Sequence, residues 1–285
     1  MKLTVSVATY QQVGYIREAL ESVLRQRTSF PFEIVVGDDG SSDGTREVLA
    51  EIAARFPDRV RLLLVDLNPG DWGFSNWLAT IDAARGEYIA FLDGDDYWTA
   101  PEKLQRQVDF LDAHPECAFC AHRVEHVWDD GVSQLSPRPP GGSGAHDVGQ
   151  LLIENFAPKI STMVRRSAIE ALPVWYRTTQ AICADWVFNV LTGRTGKVGF
   201  IDEVMAVHRK HAHSVSVLNA RRLLADKLAI LSTLRPYFPQ HEKELAQAAR
   251  WLRWKLRVER LGPGLYLFLK RRAFRPLRSH LLRLR

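Results

Sequence analysis

Along the first hundred residues the apolar positions switch between two periods. The runs LTVSVATY (3–10), EIVVGDD (33–39), VRLLLVD (60–66) and YIAFLD (88–93) have strand length and are rich in β-branched residues. Between them, Tyr15 to Arg27, Asp43 to Arg55 and Ser75 to Arg85 carry helical stripes, with Val48, Leu49 and Ile52 on one face of the second. Strands alternating with helices predict βαβ units: an α/β fold with a Rossmann-like, mostly parallel sheet, right-handed crossovers and flanking helices. Thr99-Ala-Pro-Glu102 has the pattern of a capping box opening a helix over EKLQRQVDFLDAH, and CAFCAHRV (117–124) reads as a further strand. DDGVSQLSPRPPGGSGAHD (129–147) has the composition of a flexible loop. Strand and helix patterning resumes from Ile160 to Val207. Beyond Asn219 the pattern is helical, in ARRLLADKLAILSTL, EKELAQAARWLRWKLRVERL and GLYLFLKRRAFRPLRSHLLRLR.

Bulk composition narrows the class. With 285 residues, 46% hydrophobic and 25% charged, the chain is ordinary for a globular protein. No window nears the ~18 continuous apolar residues of a membrane span, and the N-terminus lacks a signal-peptide layout. Cys117, Cys120 and Cys183 are too few for a disulfide framework, so a reducing cytoplasm is expected, with the inner face of the membrane as an alternative location. The net charge of +5 is uneven. From Arg250 to Arg285 the chain carries 12 Lys/Arg and one acid, Glu259, so the preceding residues are net −6. That asymmetry predicts an acidic surface as neighbour of the tail.

In an open parallel sheet, ligands bind beyond the carboxyl ends of the strands. Each of the four N-terminal strands ends there in polar residues: Thr9 and Tyr10, Asp38 and Asp39, Asp66 and Asn68, Asp93 to Asp96. Asp38–Asp39 before GSSDG would also suit a turn, but four such ends together predict one site. Asp93, Asp95 and Asp96 repel one another by ~1 kcal/mol per pair in water and ~4 kcal/mol at an effective dielectric near 20. The cluster therefore needs a cation. Hard oxygen ligands suit Mg²⁺ or Mn²⁺, which share their remaining positions with water and phosphates. Gly94 is expected to let the backbone turn so that both flanking carboxylates face one point. There is no calcium-loop series, no Walker-type G-x-x-x-x-G-K and no G-x-G-x-x-G after the first strand, so phosphates would be held through metal.

VSVATYQQVGYIREALESVLRQ, EIVVGDDGSSDGT, ARGEYIAFLDGDDYW and PEKLQRQVDFL together resemble the family 2 glycosyltransferases, nucleotide-sugar-dependent enzymes of GT-A fold. The resemblance covers roughly residues 1–216, with four motifs in order. It implies a nucleotide-binding half (1–100), an acceptor half (101–216) and, beyond it, a basic helical extension (217–285). It implies that the nucleotide base packs at Thr9 and Tyr10 and hydrogen-bonds Asp39, which Asp38 precedes. Asp93 and Asp95 match the D-x-D motif, with Asp95 the first choice for direct coordination and Gly94 and Asp96 as donor contacts. CADWVF (183–188) looks like the acceptor-side segment, making Asp185 the base, and VHRKHAHSVS resembles a later segment in which His211 is a further metal ligand. The implied reaction is inversion at the anomeric carbon of a hexose from a UDP- or dTDP-sugar, in cell-surface glycan assembly. The acceptor would be a glycan, a lipid-linked sugar or a small molecule.

The sequence departs from that pattern in three places. After the third strand, where relatives often carry arginine, it reads NPGDWGFSNWLAT, leaving Asn76 and Trp72 as weaker donor contacts. The acid pair at the base position is Ala184–Asp185, and His208 replaces an aromatic, so His208, His211 and His213 all compete for the metal.

Rival readings concern smaller segments. HPECAFCAH has zinc-like spacing, but core thiols in a strand explain it better. QAARW (247–251) matches a motif of processive synthases but stands far beyond Asp185, which favours coincidence. The basic tail 250–285 suits an anionic membrane surface, packing or a homodimer, and nucleic acid is not expected. A sugar nucleotidyltransferase would need a basic glycine loop after the first strand, which TYQQVGYI does not supply. A non-catalytic module recruited to membranes is the third alternative.

Overall fold

The computed structural model describes residues 1–212 and 214–260. Its N-terminal half alternates as its periodicity predicts: β1 (Leu3–Thr9), α1 (Ile16–Leu24), β2 (Phe32–Asp38), α2 (Thr45–Arg55), β3 (Val60–Leu64), α3 (Phe74–Ala83) and β4 (Tyr88–Asp93). The strands are parallel in the order β3-β2-β1-β4, with Thr9 beside Asp38 and Ala8 beside Asp93. The strand order reverses at β1, which opens a crevice at the carboxyl ends of β1 and β4. Both faces of the sheet are covered. Tyr88, Ala90 and Leu92 join α1 and α2 in one core, whereas Ile89 and Phe91 join Phe74, Trp77 and Ile81 of α3 in the other. This double burial explains why the strands read as near-continuous apolar runs.

The second half follows as β5 (Tyr97–Trp98), α4 (Lys103–Ala113), β6 (Cys117–Trp128), β7 (Ser133–Leu135), β8 (Gly144–His146), α5 (Val148–Ile153), β9 (Met163–Arg165), α6 (Arg166–Glu170), α7 (Ala184–Thr192) and β10 (Lys197–Lys210). The sheet continues from β4 through β9, β6 and β10 to β5, and β9 lies antiparallel to both β4 and β6. The mostly parallel α/β sheet expected from the sequence is thus present.

Three expectations need correction. Thr99 caps no helix: its N–H donates to Met205 O (3.0 Å) as β5 pairs with β10. The first turn of α4 is satisfied across the fold, because Gln26 Oε1 accepts from the Leu104 N–H (3.0 Å) while Gln26 Nε2 donates to Ala100 O (2.8 Å). The Gly/Pro-rich segment 129–147 is not uniformly loop, since β7 pairs with β6 and β8 with β10. β6 also runs to Trp128, four residues beyond the expected strand, because β10 offers it a parallel partner along its length.

The chain continues into α8 (Val215–Leu218), α9 (Ala220–Leu234) and α10 (Glu242–Arg260). Leu231, Leu234, Phe238, Leu245 and Leu252 join the core that contains Trp77, Phe91 and Phe188. The expected helix over GLYLFLKRRAFRPLRSHLLRLR lies outside the described residues. Among the described residues, no helix is long and apolar enough to cross a membrane.

Candidate functional site

At the end of β4 the chain turns sharply: the Gly94 N–H donates to Ala8 O (2.9 Å) and the Asp96 N–H to Asp93 O (3.0 Å). Glycine is needed here for a different reason from the one expected. Its φ is not in the left-handed region. Instead, a Cβ would stand 2.6 Å from Thr9 Oγ1 and 2.4 Å from Gln12 Oε1, two groups hydrogen-bonded to each other at 2.8 Å. The backbone passes directly over the end of β1.

Each acid of this turn is met by a group from another element. Asp93 forms an ion pair with Lys159, whose ammonium also sits 5.2 Å from the centre of the Trp77 ring. Asp95 Oδ2 contacts His211 Nε2 at 3.0 Å, and the Asp95 carbonyl accepts from Arg209 Nη1 at 2.7 Å. Asp96 is fully buried and accepts the Arg209 backbone N–H through Oδ1 (2.8 Å). Its Oδ2 has no hydrogen-bond partner among the described residues. Arg209 is itself held by Glu18 of α1 and lies 4.4 Å from the Tyr97 ring centre, while His211 stacks on Tyr15 at 5.4 Å. Burial, together with the charges of Asp95 and Asp93, pushes Asp96 well above the usual carboxylate range. Asp93 is also raised, chiefly by burial, with Lys159 opposing. The hydrogen bond to Asp95 raises His211 against its own partial burial.

The ends of β1 and β2 form the other wall. Asp38 is fully buried and committed to the scaffold, accepting from Arg46 Nε (2.7 Å) and the Ser41 N–H (3.0 Å). Asn76 is likewise committed, donating to Gly37 O at 2.9 Å. Among the described residues Asp39 has no such cation. It accepts from Asn68 Nδ2 (3.1 Å), while burial and then the charges of Asp71 and Asp38 lift it to about 6. Thr9 is buried beside the acid turn, and Tyr10 stands half-exposed at the rim. Trp72 adopts a left-handed φ of 63° with its ring exposed, and the Arg222 guanidinium lies 5.5 Å from the ring centre.

In the second half of the chain, Asp185 occupies the first turn of α7. Its charge bears on both Asp93 and Lys159, which places it in the same electrostatic neighbourhood. Of the three competing histidines, His211 is the one beside Asp95; His208 Nε2 instead contacts Lys210 Nζ (2.9 Å), and His213 lies outside the described residues.

Among the described residues, no three His, Cys, Asp or Glu side chains form a ready metal cage. Mg²⁺ and Mn²⁺ do not require one, because they bind through one or two carboxylates and take water and phosphate oxygens for the rest. Asp93 and Asp95 offer carboxylate oxygens of that hard type, with the His211 imidazole in contact with Asp95.

Two residues at this turn were not singled out from the sequence. Arg209 sits within the HRKH segment, where it could have been noticed. Lys159 lies in APKIST, and a lysine in a loop carries no local signal.

Comparison with known proteins agrees with this geometry. The family profile described as "Glycosyl transferase family 2" matches residues 4–172. An uncharacterized protein of Mycobacterium tuberculosis is 38% identical over 208 residues, covering 73% of this chain but 58% of that protein. The chain thus spans a little over half the length of that relative. The crystal structure of S. aureus TarS 1-349 in complex with UDP-GlcNAc superposes with a TM-score of 0.61 at 21% identity, over 82% of this chain and 67% of that one. The mannosyltransferase PcManGT from Pyrobaculum calidifontis, in complex with GDP-Man and Mn²⁺, gives 0.60 at 18% identity over 98% of this chain and 82% of that one. At such identities the structural likeness speaks for the GT-A fold, and with the profile spanning more than half of the chain, the protein belongs to glycosyl transferase family 2.

Proposed function

We propose that this chain is an inverting, metal-dependent glycosyltransferase that moves a hexose from a UDP- or dTDP-sugar to an acceptor hydroxyl on a glycan, a lipid-linked sugar or a small molecule. The observation that carries this reading is the acid turn Asp93–Asp96 at the sheet's crevice, facing Asp39 and Asn68 across the end of β1. A carboxylate beside a carboxamide complements a uracil or thymine edge, where an N–H donor adjoins carbonyl acceptors. Two structural neighbours with nucleotide-sugar ligands, one of them with Mn²⁺, support the donor class and the metal.

In this scheme Asp93 and Asp95 would hold the cation, with His211 alongside. A divalent ion bound there would neutralise charge developing on the departing diphosphate. Asp39 and Asn68 orient the base, and Thr9 and Tyr10 contact it. Asp185 accepts the proton of the acceptor hydroxyl as its oxygen bonds to the anomeric carbon and the bond to the diphosphate breaks. No covalent intermediate forms, so the configuration inverts.

Thermal stabilisation by nucleotide sugars with and without Mn²⁺ tests the donor. A ligand present at ~100 times its Kd adds about 2.7 kcal/mol to stability. UDP- or dTDP-sugars should raise Tm only with the metal, and Asp95→Ala should abolish both this shift and transfer. Asp185→Asn should keep donor binding and lose transfer; unchanged transfer would remove Asp185 from the base role.

A further inference from the structure

Lys159 meets the acid turn from the acceptor half, and the scheme above leaves it unused. It opens a short 3₁₀ turn, Lys159–Ser161, that is pinned on several sides. Trp98 Nε1 donates to Ile160 O (3.1 Å), Gln107 Nε2 to Ser161 O (2.8 Å) and Ser161 Oγ to Pro158 O (2.7 Å). The neighbouring backbone therefore fixes where the lysine starts. Its side chain is 17% exposed and ends at the Asp93 carboxylate beneath Trp77. Burial alone would drive the ammonium toward its neutral form, yet Asp93, and beyond it Asp185 and Asp95, hold it charged.

A partly buried ion pair is seldom retained for stability alone, because desolvating its ions offsets much of their attraction. An ammonium at the edge of a carboxylate cluster does have a chemical use, since a diphosphate approaching bare carboxylates is repelled. We propose that Lys159 is a diphosphate-binding residue: in the empty site its ammonium neutralises Asp93, and with donor bound it turns to the phosphate oxygens while Asp93 passes to the divalent cation. This inference rests on the proposed function. It requires only a rotation of the flexible lysine stem, with the pinned turn unmoved.

Two effects of opposite sign follow. Without nucleotide, Lys159 competes with the metal for Asp93; with nucleotide, it contributes affinity. Calorimetric titration of the full chain at pH 8 with Mn²⁺ alone, and then with UDP or dTDP at saturating Mn²⁺, reads both. Lys159→Met should bind Mn²⁺ alone ~3–10-fold more tightly and the nucleoside diphosphate ~10–100-fold more weakly. Lys159→Arg, which keeps the charge, should restore nucleotide affinity to within a few-fold of wild type. Should Lys159→Met fail to fold, Lys159→Gln carries the same two expectations. Unchanged or weaker Mn²⁺ binding in the neutral variant, or unchanged nucleotide binding, overturns the assignment while leaving the proposed function standing. Failure of the wild-type chain to bind either nucleotide overturns both.

Discussion

Asp38 and Asp39 are neighbours in sequence and opposites in environment. Arg46 and the Ser41 N–H compensate the first, whereas the second is buried with one amide contact and two further carboxylates in its field. With Asp39 lifted to about 6, the folded state holds a proton that the unfolded chain releases near pH 4. Between those values the native state binds more protons, so this group's contribution makes stability fall as pH rises. Asp39→Asn should remove that loss. Relative to wild type it should gain about 2–3 kcal/mol on going from pH 4 to 7 in urea titrations, while losing the anionic acceptor proposed for the base. A constant difference between the two proteins across that range would contradict the assignment. The adjacent DD pair was legible as chemistry in the sequence. Which acid would be braced and which left uncompensated was not, because the deciding partners Arg46, Asn68 and Asp71 act through space.

At the scale of elements, local signals were reliable for type and weaker for termini. The apolar periods located β1 to β4 and α1 to α3, since burial on two sheet faces leaves a pattern that composition alone reveals. The start of α4 illustrates the limit. Thr99 and Glu102 have the right chemistry for a capping box, but pairing of β5 with β10 draws Thr99 away. Gln26, at the end of α1, then serves the orphan N–H of Leu104. Gln26→Leu should therefore cost about 1–3 kcal/mol, the penalty for leaving buried polar groups without partners, measured by chemical denaturation. A loss no greater than that of an exposed substitution would mean that water replaces the side chain. Segment 129–147 shows the same override, its short strands forming because β6 and β10 present edges to them.

Across the whole molecule, the C-terminal helices share a core with the face of the sheet opposite α1 and α2. Phe238, fully buried, belongs with Leu234, Trp77 and Phe188 to one continuous cluster. Phe238→Ala should cost about 3–5 kcal/mol. Because the cluster is continuous, amide-exchange protection in α10 and in β4 should fall together. Loss of protection confined to α10 would indicate instead that α9 and α10 unfold as a separate unit. The site is also a whole-molecule product: the end of β4 and the turn after it supply the acids, α1 supplies Glu18 and its N-cap position Tyr15, the end of β10 supplies Arg209 and the residue just after it His211, and the turn before β9 supplies Lys159.

By itself the sequence determined the alternating α/β architecture, the family and the polar residues at the ends of four strands, acids at three of them. These follow from short-range periodicity, which burial imposes on every strand and helix independently. Only the tertiary structure decided how the acids are balanced. His211 reaches Asp95 across 116 residues of chain and the Arg209 backbone N–H reaches Asp96 across 113, while Lys159 comes to Asp93 from a short 3₁₀ turn that carries no local sequence signal. Coulombic attraction depends on distance in space, and sequence separation leaves no trace of it.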